Sequence, residues 1–285
     1  MEGRAFPREE ALRVVRTALH EDLGTGGDVT TRAVFPGPVR GRARLVAREE
    51  LVVAGIDLAA MVMEAEPFRG GGPVRVVAGC RDGERLAPGK VLAELEGDVR
   101  TLLAGERVLL NLLQRLCGIA TLTASCVAEV TGTGASVADT RKTTPGLRAL
   151  EKYAVAAGGG ENHRQALDDM VLLKDNHKVL AGGLREAISR VLAAGHAPET
   201  IEVEVDDLEE LAVALEFGPG WILLDNMDPV EVREAVSRVA GRARIEVSGG
   251  LRPGHLRPFA EAGADRLSLG ALTHSVRAVD IGLDI

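Results

Sequence analysis

From Ser136 onward the chain alternates short apolar runs with helix-like stretches, and each apolar run ends on polar residues or glycine. Ser136-Val137-Ala138 leads into Asp139-Thr140-Arg141-Lys142, and Met170-Val171-Leu172-Leu173 into Lys174-Asp175-Asn176-His177. Ile201 to Val205 carries Glu202 and Glu204 and ends at Asp206, while Trp221-Ile222-Leu223-Leu224 leads into Asp225-Asn226. Arg244 to Val247 is followed by Ser248-Gly249-Gly250, and Arg266 to Leu269 by Gly270. Leu184 to Ala194, Asp207 to Glu216 and Pro229 to Ala240 have helical periodicity. Repeated strand–helix units imply a parallel sheet with right-handed crossovers. Six clear strands, with room for a seventh, fit a barrel or incomplete barrel better than an open sheet. A dinucleotide-binding sheet carries its Gly-rich turn after the first strand, and these glycines come late.

The amino-terminal part has a different pattern. Arg8 to Leu19 has helical spacing, with Leu12, Val15 and Leu19 on one face. Arg42 to Ala54, Val74 to Ala78 and Val91 to Leu95 are strand-like, with a Gly/Pro break at Gly70 to Pro73. Short strands without long intervening helices predict an antiparallel or mixed sheet. Thr101 to Val130 is helical, with Leu109, Leu112, Leu113 and Leu116 forming an apolar stripe. Arg107, Asn111, Gln114 and Arg115 lie on another face, which either meets solvent or looks into a site. Gly118 marks a kink or a division into two helices.

Composition narrows the function classes. Apolar residues make up 46% and aromatics only 2%, so the core must be built from Leu, Val, Ile and Ala, which suits helices on a parallel sheet. The net charge of −8, without a basic block, argues against nucleic acid as a partner. An anionic ligand must then be held by a local cationic pocket. Cys80, Cys117 and Cys126 lack metal-ligand or disulfide spacing, which predicts buried thiols in a reducing compartment. Met1 to Glu10 has no apolar signal segment, and no apolar run reaches the ~20 residues of a membrane helix. A cytoplasmic, soluble protein with no membrane partner is expected. Lysine occurs only at positions 90, 142, 152, 174 and 178. Each is either chance or a site that wants a compact point charge.

In β/α barrels the functional groups gather on the loops that follow the strands. That rule collects Arg141, Lys142, Lys174, Glu204, Asp225, Ser248 and Gly270. Singly, each has an ordinary reading: a surface ion pair for the arginine, a helix cap for the aspartate. Six strands ending this way are harder to explain so. Ser248-Gly249-Gly250 and Leu269-Gly270-Ala271 read as a phosphate site, because glycine lets backbone N–H groups approach the oxygens and a helix N-terminus adds partial charge. Arg141, Lys142, His163, Arg164 and Lys174 suit a ligand with several anionic groups. Glu204 and Asp225 either neutralise these cations or hold ribose hydroxyls and a hydrated magnesium ion. No zinc motif and no serine nucleophile elbow is present.

The run Asp139-Thr140-Arg141-Lys142-Thr143-Thr144-Pro145-Gly146-Leu147-Arg148 resembles the signature of the quinolinate phosphoribosyltransferase family. So do Glu151-Lys152-Tyr153-Ala154-Val155, Gly158-Gly159-Gly160 with Asn162-His163-Arg164, and Lys174-Asp175-Asn176-His177. Glu202-Val203-Glu204-Val205-Asp206, Leu224-Asp225-Asn226, Ser248-Gly249-Gly250 and Leu269 to Ser275 continue the match in order. Glu21 to Gly24, Asp28 to Thr31 and the helix around Glu106-Arg107 and Asn111-Leu112-Leu113 extend it over essentially the whole chain.

The resemblance implies an α/β fold: an incomplete, seven-stranded α/β barrel with an N-terminal α/β sandwich domain. It puts the sandwich at 1–115 and the barrel at 116–272, with a tail of about 273–285 packing back on the sandwich. It implies a homodimer, with a higher oligomer left open, in which each sandwich covers the partner's barrel mouth and Arg107 reaches the partner's site. Arg107, Thr140, Arg141, His163, Arg164 and Lys174 would bind quinolinate, and Lys142 would contact the phosphoribosyl pyrophosphate. Glu204 and Asp225 would act on the ribose and hold Mg2+, largely through water and substrate, and the two glycine loops, Ser248 to Gly250 and Leu269 to Ala271, would hold the 5′-phosphate. The implied reaction joins quinolinate to phosphoribosyl pyrophosphate, giving nicotinate mononucleotide, pyrophosphate and CO2, in de novo NAD biosynthesis. The alternatives are a related type II phosphoribosyltransferase acting on nicotinate, a paralogue linked to molybdenum transport, and a non-catalytic phospho-ligand binder. Cys117, where a small serine is expected, and Gln165-Ala166-Leu167 depart from the family pattern.

Overall fold

The computed structural model describes residues 5–65 and 72–285; Gly70 and Gly71 of the expected break lie outside the described residues. In chain order the first elements are α1 (Arg8–Leu23), α2 (Val29–Val34), β1 (Arg40–Ala47), β2 (Leu51–Val52), α3 (Leu58–Met63), β3 (Arg75–Ala78), β4 (Arg85–Leu86) and β5 (Val91–Asp98). Next come α4 (Val99–Val130), β6 (Ser136–Ala138), α5 (Arg148–Ala157), β7 (Val171–Leu173), α6 (Asp175–Ala181), α7 (Leu184–Ala193) and β8 (Ile201–Val205). The chain closes with α8 (Leu208–Leu215), β9 (Trp221–Asp225), α9 (Pro229–Val239), β10 (Arg244–Ser248), α10 (Arg257–Glu261), β11 (Arg266–Ser268), α11 (Ala271–His274) and β12 (Ile281–Asp284). It divides into two compact units, one of Met1–Ala124, Thr143–Gly159 and Leu272–Ile285, the other of Ser125–Lys142 and Gly160–Ala271.

The first unit is built on an antiparallel sheet in the order β12-β1-β5-β3. Along β1 the side chains alternate: Ala43, Leu45 and Ala47 are buried, while Arg40, Arg42 and Arg44 face outward beside Glu94 and Glu96 of β5. That period of two gives one core face and one charged face. Helix α1 buries Ala11, Val15 and Leu19, whereas Leu12 is 38% exposed. The buried stripe follows the i, i+4, i+8 row, so the expected place of Leu12 is taken by Ala11.

Helix α4 runs unbroken through Gly118, against the expected kink. The glycine is there for close packing: a Cβ would fall 2.3 Å from the Arg277 carbonyl oxygen. At 32 residues α4 is also long and apolar enough to cross a membrane, which corrects the expectation that no such stretch exists. Its apolar side chains, including Leu102, Leu109, Leu113, Leu116 and Ile119, lie in the core. Its polar face is divided. Arg107 and Asn111 are exposed. Gln114 Nε2 donates to the Ile281 carbonyl, and Arg115 donates to Glu151, Thr144 Oγ1 and the Thr273 carbonyl. Cys117 Sγ accepts the Ala54 N–H at 3.4 Å, so the departure from serine keeps a hydrogen-bonding atom in a buried slot.

The second unit holds a six-stranded parallel sheet in the order β6-β11-β10-β9-β8-β7. The first strand in sequence pairs with the last, as in a closing barrel. On the other side of β6 a parallel bridge joins Ala138 to Glu161. The seventh strand is thus reduced to one residue, and the barrel stays open between it and β7. Asp207 and Asp228 cap α8 and α9 by accepting backbone N–H groups, which fixes where strand gives way to helix after β8 and β9.

Candidate active site

Because side chains alternate along a strand, Ile201, Val203 and Val205 of β8 pack outward while Glu202 and Glu204 point to the barrel interior. Leu223 and Asp225, Glu246 and Ser248, and Arg266 and Ser268 share that interior on β9, β10 and β11. At the ends of these strands lies a cavity of about 380 Å³. Thr140, Arg141, Lys142, His163, Arg164, Lys174, Glu204, Asp225, Ser248, Gly249 and Gly250 all line it, together with Leu172, Leu223, Asn226, Glu246 and Ser268. Groups that follow β6 and β7, the two ends of the sheet order, meet in one cavity, which requires the sheet to curl.

Four expected residues are not among its lining. Arg107 is exposed on α4 in the first unit. Leu269 is buried and donates its N–H to the Ala138 carbonyl, Gly270 is the turn residue and Ala271 begins α11. Of this second glycine loop, only the preceding Ser268 reaches the cavity wall. The first loop does line it, and Gly249 is there for two reasons: its φ is +81°, and a Cβ would fall 2.3 Å from Asn226 Oδ1. Asn226, itself at φ 57°, donates its backbone N–H to the Ser248 carbonyl and so ties the turns after β9 and β10 together.

The cavity is short of negative charge on one side. Arg141 Nε is buried and has no acceptor. Burial, followed by the like charge of Arg141, holds Arg164 below the ordinary arginine range. An anion between the two guanidinium groups would relieve both effects. On the other side, Lys174 Nζ lies 2.7 Å from Glu204 Oε2, and the Asp175 N–H reaches Glu204 Oε1. His177 Nδ1 accepts the Lys174 N–H and fixes the lysine at the start of α6. Asp225 is pushed above the usual carboxylate range by burial and then by the charges of Glu204 and Asp175. Its oxygens lie within 4.8 Å of those of Asp175 and Asp206. Lys178, buried, holds Asp206 at 2.9 Å, Glu210 at 2.7 Å and Asp175 at 3.1 Å.

Beneath this rim lies a charged cluster. His163 Nε2 stands 3.2 Å from Glu202 and 3.4 Å from Glu246, both carboxylates fully buried. Arg266 reaches Glu246 at 3.1 Å and lies 3.9 Å from the centre of the Trp221 ring. Burial opposes a charged imidazole, but the two carboxylates outweigh it and push His163 up to about 9. The Arg164 N–H donates to His163 Nδ1 at 2.7 Å, which instead favours a proton on Nε2 alone. The two features reconcile if Glu202, raised by burial, shares the extra proton. The same contact argues against a metal on these three residues, since it keeps the proton on the nitrogen a metal would need. His163 therefore lines the cavity with both ring nitrogens already engaged by protein groups.

The sequence matches the quinolinate phosphoribosyl transferase N-terminal domain over residues 28–117 and the C-terminal domain over residues 119–284. The chain belongs to the quinolinate phosphoribosyl transferase family. A nicotinate-nucleotide pyrophosphorylase (carboxylating) of Mycobacterium leprae (strain TN) is 46% identical, covering 97% of this chain and 98% of that protein. A probable nicotinate-nucleotide pyrophosphorylase (carboxylating) of Bacillus subtilis (strain 168) is 43% identical, covering 93% and 90%. The crystal structure of nicotinate-nucleotide pyrophosphorylase from Ehrlichia chaffeensis superposes with a TM-score of 0.89 at 38% identity, over 95% of this chain and 97% of that one. That from Francisella tularensis gives 0.89 at 34% identity, over 98% and 97%.

Within this cavity, sequence reasoning singled out neither Glu246 nor Ser268, and gave Asn226 only as part of a motif. The signal for the acids was present. A glutamate at every second place of an apolar strand, as at Glu202 and Glu204, marks the interior face, and Glu246 sits in the same pattern on β10.

Proposed function

We infer that this chain is a quinolinate phosphoribosyltransferase, which converts quinolinate and phosphoribosyl pyrophosphate to nicotinate mononucleotide, pyrophosphate and CO2 in NAD biosynthesis. One observation carries the assignment of the site: Arg141, with a buried Nε that has no acceptor, faces the same cavity as Arg164, Lys142, Lys174 and the Ser248-Gly249-Gly250 turn. Two carboxylates and a sugar phosphate need that combination of guanidinium forks, point charges and open backbone N–H groups.

In this reading Arg141 and Arg164, with Lys174, grip the two carboxylates, and the glycine turn takes the 5′-phosphate. Thr140 flanks the dicarboxylate, and His163 supports it from the floor. Lys142, exposed at the rim, meets the pyrophosphate. As the bond from the sugar carbon to pyrophosphate breaks, positive charge develops on the ribose, and Glu204 and Asp225 lie where carboxylates stabilise it. The pyridine nitrogen then bonds to that carbon. The resulting pyridinium draws electrons from the neighbouring carboxylate, which leaves as CO2 while the ring carbon takes up a proton. The chain's own contribution is position, charge and the exclusion of water.

The carboxylate oxygens of Asp225, Asp175 and Asp206 are hard donors within 4.8 Å of one another, which suits magnesium. We propose that Asp225 holds the ion with Glu204 nearby, and that magnesium, when bound, neutralises the departing pyrophosphate. We also propose a homodimer in which the exposed Arg107 enters the partner's cavity, and a cytoplasmic setting, which the three buried free cysteines support. The deciding experiment supplies quinolinate, phosphoribosyl pyrophosphate and magnesium and measures CO2 release, with nicotinate as the control. Turnover of nicotinate but not quinolinate would favour the related single-carboxylate transferase. A bound ligand without turnover would favour a binding protein.

A further inference from the structure

Two carboxylates inside a barrel need a reason. Interior barrel positions are mostly branched apolar residues, and a buried charge is costly unless it is paired. Glu202 and Glu246 are 0% and 1% exposed, and three of their four carboxylate oxygens make no well-aligned hydrogen bond, although two of them lie 3.2 and 3.4 Å from His163 Nε2. The fourth, Glu246 Oε2, faces Arg266, which Trp221 backs from the other side. Among the described residues, His163 Nε2 is the group within ion-pair distance of both acids, whereas Arg266 pairs with Glu246 alone of the two. His163 connects onward through its other nitrogen, since Nδ1 accepts the Arg164 N–H. From above, Asp139 accepts the His163 N–H at 3.0 Å and the Asn162 amide at 2.6 Å. The 162–164 segment is thus held from two sides, and the arginine at its end faces the cavity.

We propose that Glu246 is a positioning residue for the dicarboxylate: with Glu202 it holds His163, and through His163 it sets where Arg164 meets the substrate. The proposal rests on the functional reading given above. It assigns the buried acids their larger effect to the dicarboxylate, because their contact with His163 leads on to Arg164, whereas Glu246 meets the glycine turn only as a neighbour in the cavity wall.

The test is Glu246→Gln, which keeps the size of the side chain and an acceptor for Arg266. The KM for quinolinate should rise about tenfold, less than the loss at a directly broken buried charge pair because the effect reaches Arg164 through His163, while that for phosphoribosyl pyrophosphate stays within about twofold. Binding of phthalate, a dicarboxylate without the ring nitrogen and unable to react, should weaken in parallel by calorimetry. Glu246→Asp should recover part of the loss. An unchanged quinolinate KM, or equal rises for both substrates, would overturn the proposal. If Glu246→Gln does not fold, Glu202→Gln addresses the same histidine and is held to the same outcomes. Wild-type protein that fails to turn over quinolinate would overturn the functional reading and this proposal with it; wild-type turnover with an unaltered variant would overturn this proposal alone.

Discussion

Lys174 Nζ and Glu204 Oε2 lie 2.7 Å apart, joining the cation after β7 to the acid at the end of β8. Among the described residues the two form an ion pair, yet the proposed reaction asks them to face different substrates. A substrate carboxylate that recruits Lys174 must compete with Glu204 for it.

That competition gives an asymmetric prediction for Glu204→Gln. Loss of the carboxylate beside the ribose should lower kcat by about 10²-fold or more, the scale of a removed transition-state stabiliser. The KM for quinolinate should not rise, because Lys174 has lost its internal competitor. Steady-state kinetics with each substrate varied separately will show the split, and a raised quinolinate KM would contradict it.

The two glycines after β10 should respond differently to alanine. Gly249 has φ +81°, and an added Cβ would fall 2.3 Å from Asn226 Oδ1 and 2.7 Å from Asn226 N. Gly250 has φ +65° and open space around the added atom. Gly250→Ala should cost about 1 kcal/mol, from backbone conformation alone. Gly249→Ala should cost about 3 kcal/mol or more, because strain and overlap combine. Urea denaturation of both variants gives the comparison, and equal losses would mean that the Asn226 contact does not constrain the turn.

His163 predicts a fall in stability on the alkaline side. Its folded pKa of about 9 lies above the unfolded value of about 6.5, so the folded cluster holds a proton that the unfolded chain releases. The stabilisation is fully present below about 6.5 and is lost as pH rises through about 9. The direction is the same whether the proton resides on the imidazole or on Glu202, whose pKa burial also raises. Unfolding free energies across this window should decline in the wild type and decline less in His163→Gln.

The proposed shared site would make Arg107 and Glu204 complementary in trans. Arg107→Ala and Glu204→Ala homodimers should each be nearly inactive, and refolding them together should restore activity through the one cavity with both residues intact. Failure of the mixture to regain activity would rule out a cavity completed by the partner's Arg107.

The parallel sheet was legible because each strand announces itself locally. An apolar run three to five residues long, then a polar loop and a helical stretch, can be read without knowing what packs on it. The same rule collected Arg141, Lys142, Lys174, Glu204, Asp225 and Ser248, which line the cavity, and also Gly270, which does not. Leu12 and Gly118 were misread for related reasons. Both readings assumed that local spacing decides a residue's place, whereas the fold seats Ala11 in the core and brings the Arg277 carbonyl against Gly118.

What the sequence determined by itself is therefore the order of elements, the end of the sheet at which polar groups gather and the family to which they belong. Periodicity and short-range backbone preference act over a few residues and are written there. Only the tertiary structure decided that Lys174 pairs with Glu204, that Asn226 presses on Gly249, and that Glu202 and Glu246 flank His163 while Arg266 pairs with Glu246. Those relationships join residues far apart in the chain, and they exist only because the sheet curls and brings alternate side chains of separate strands into one low-dielectric interior.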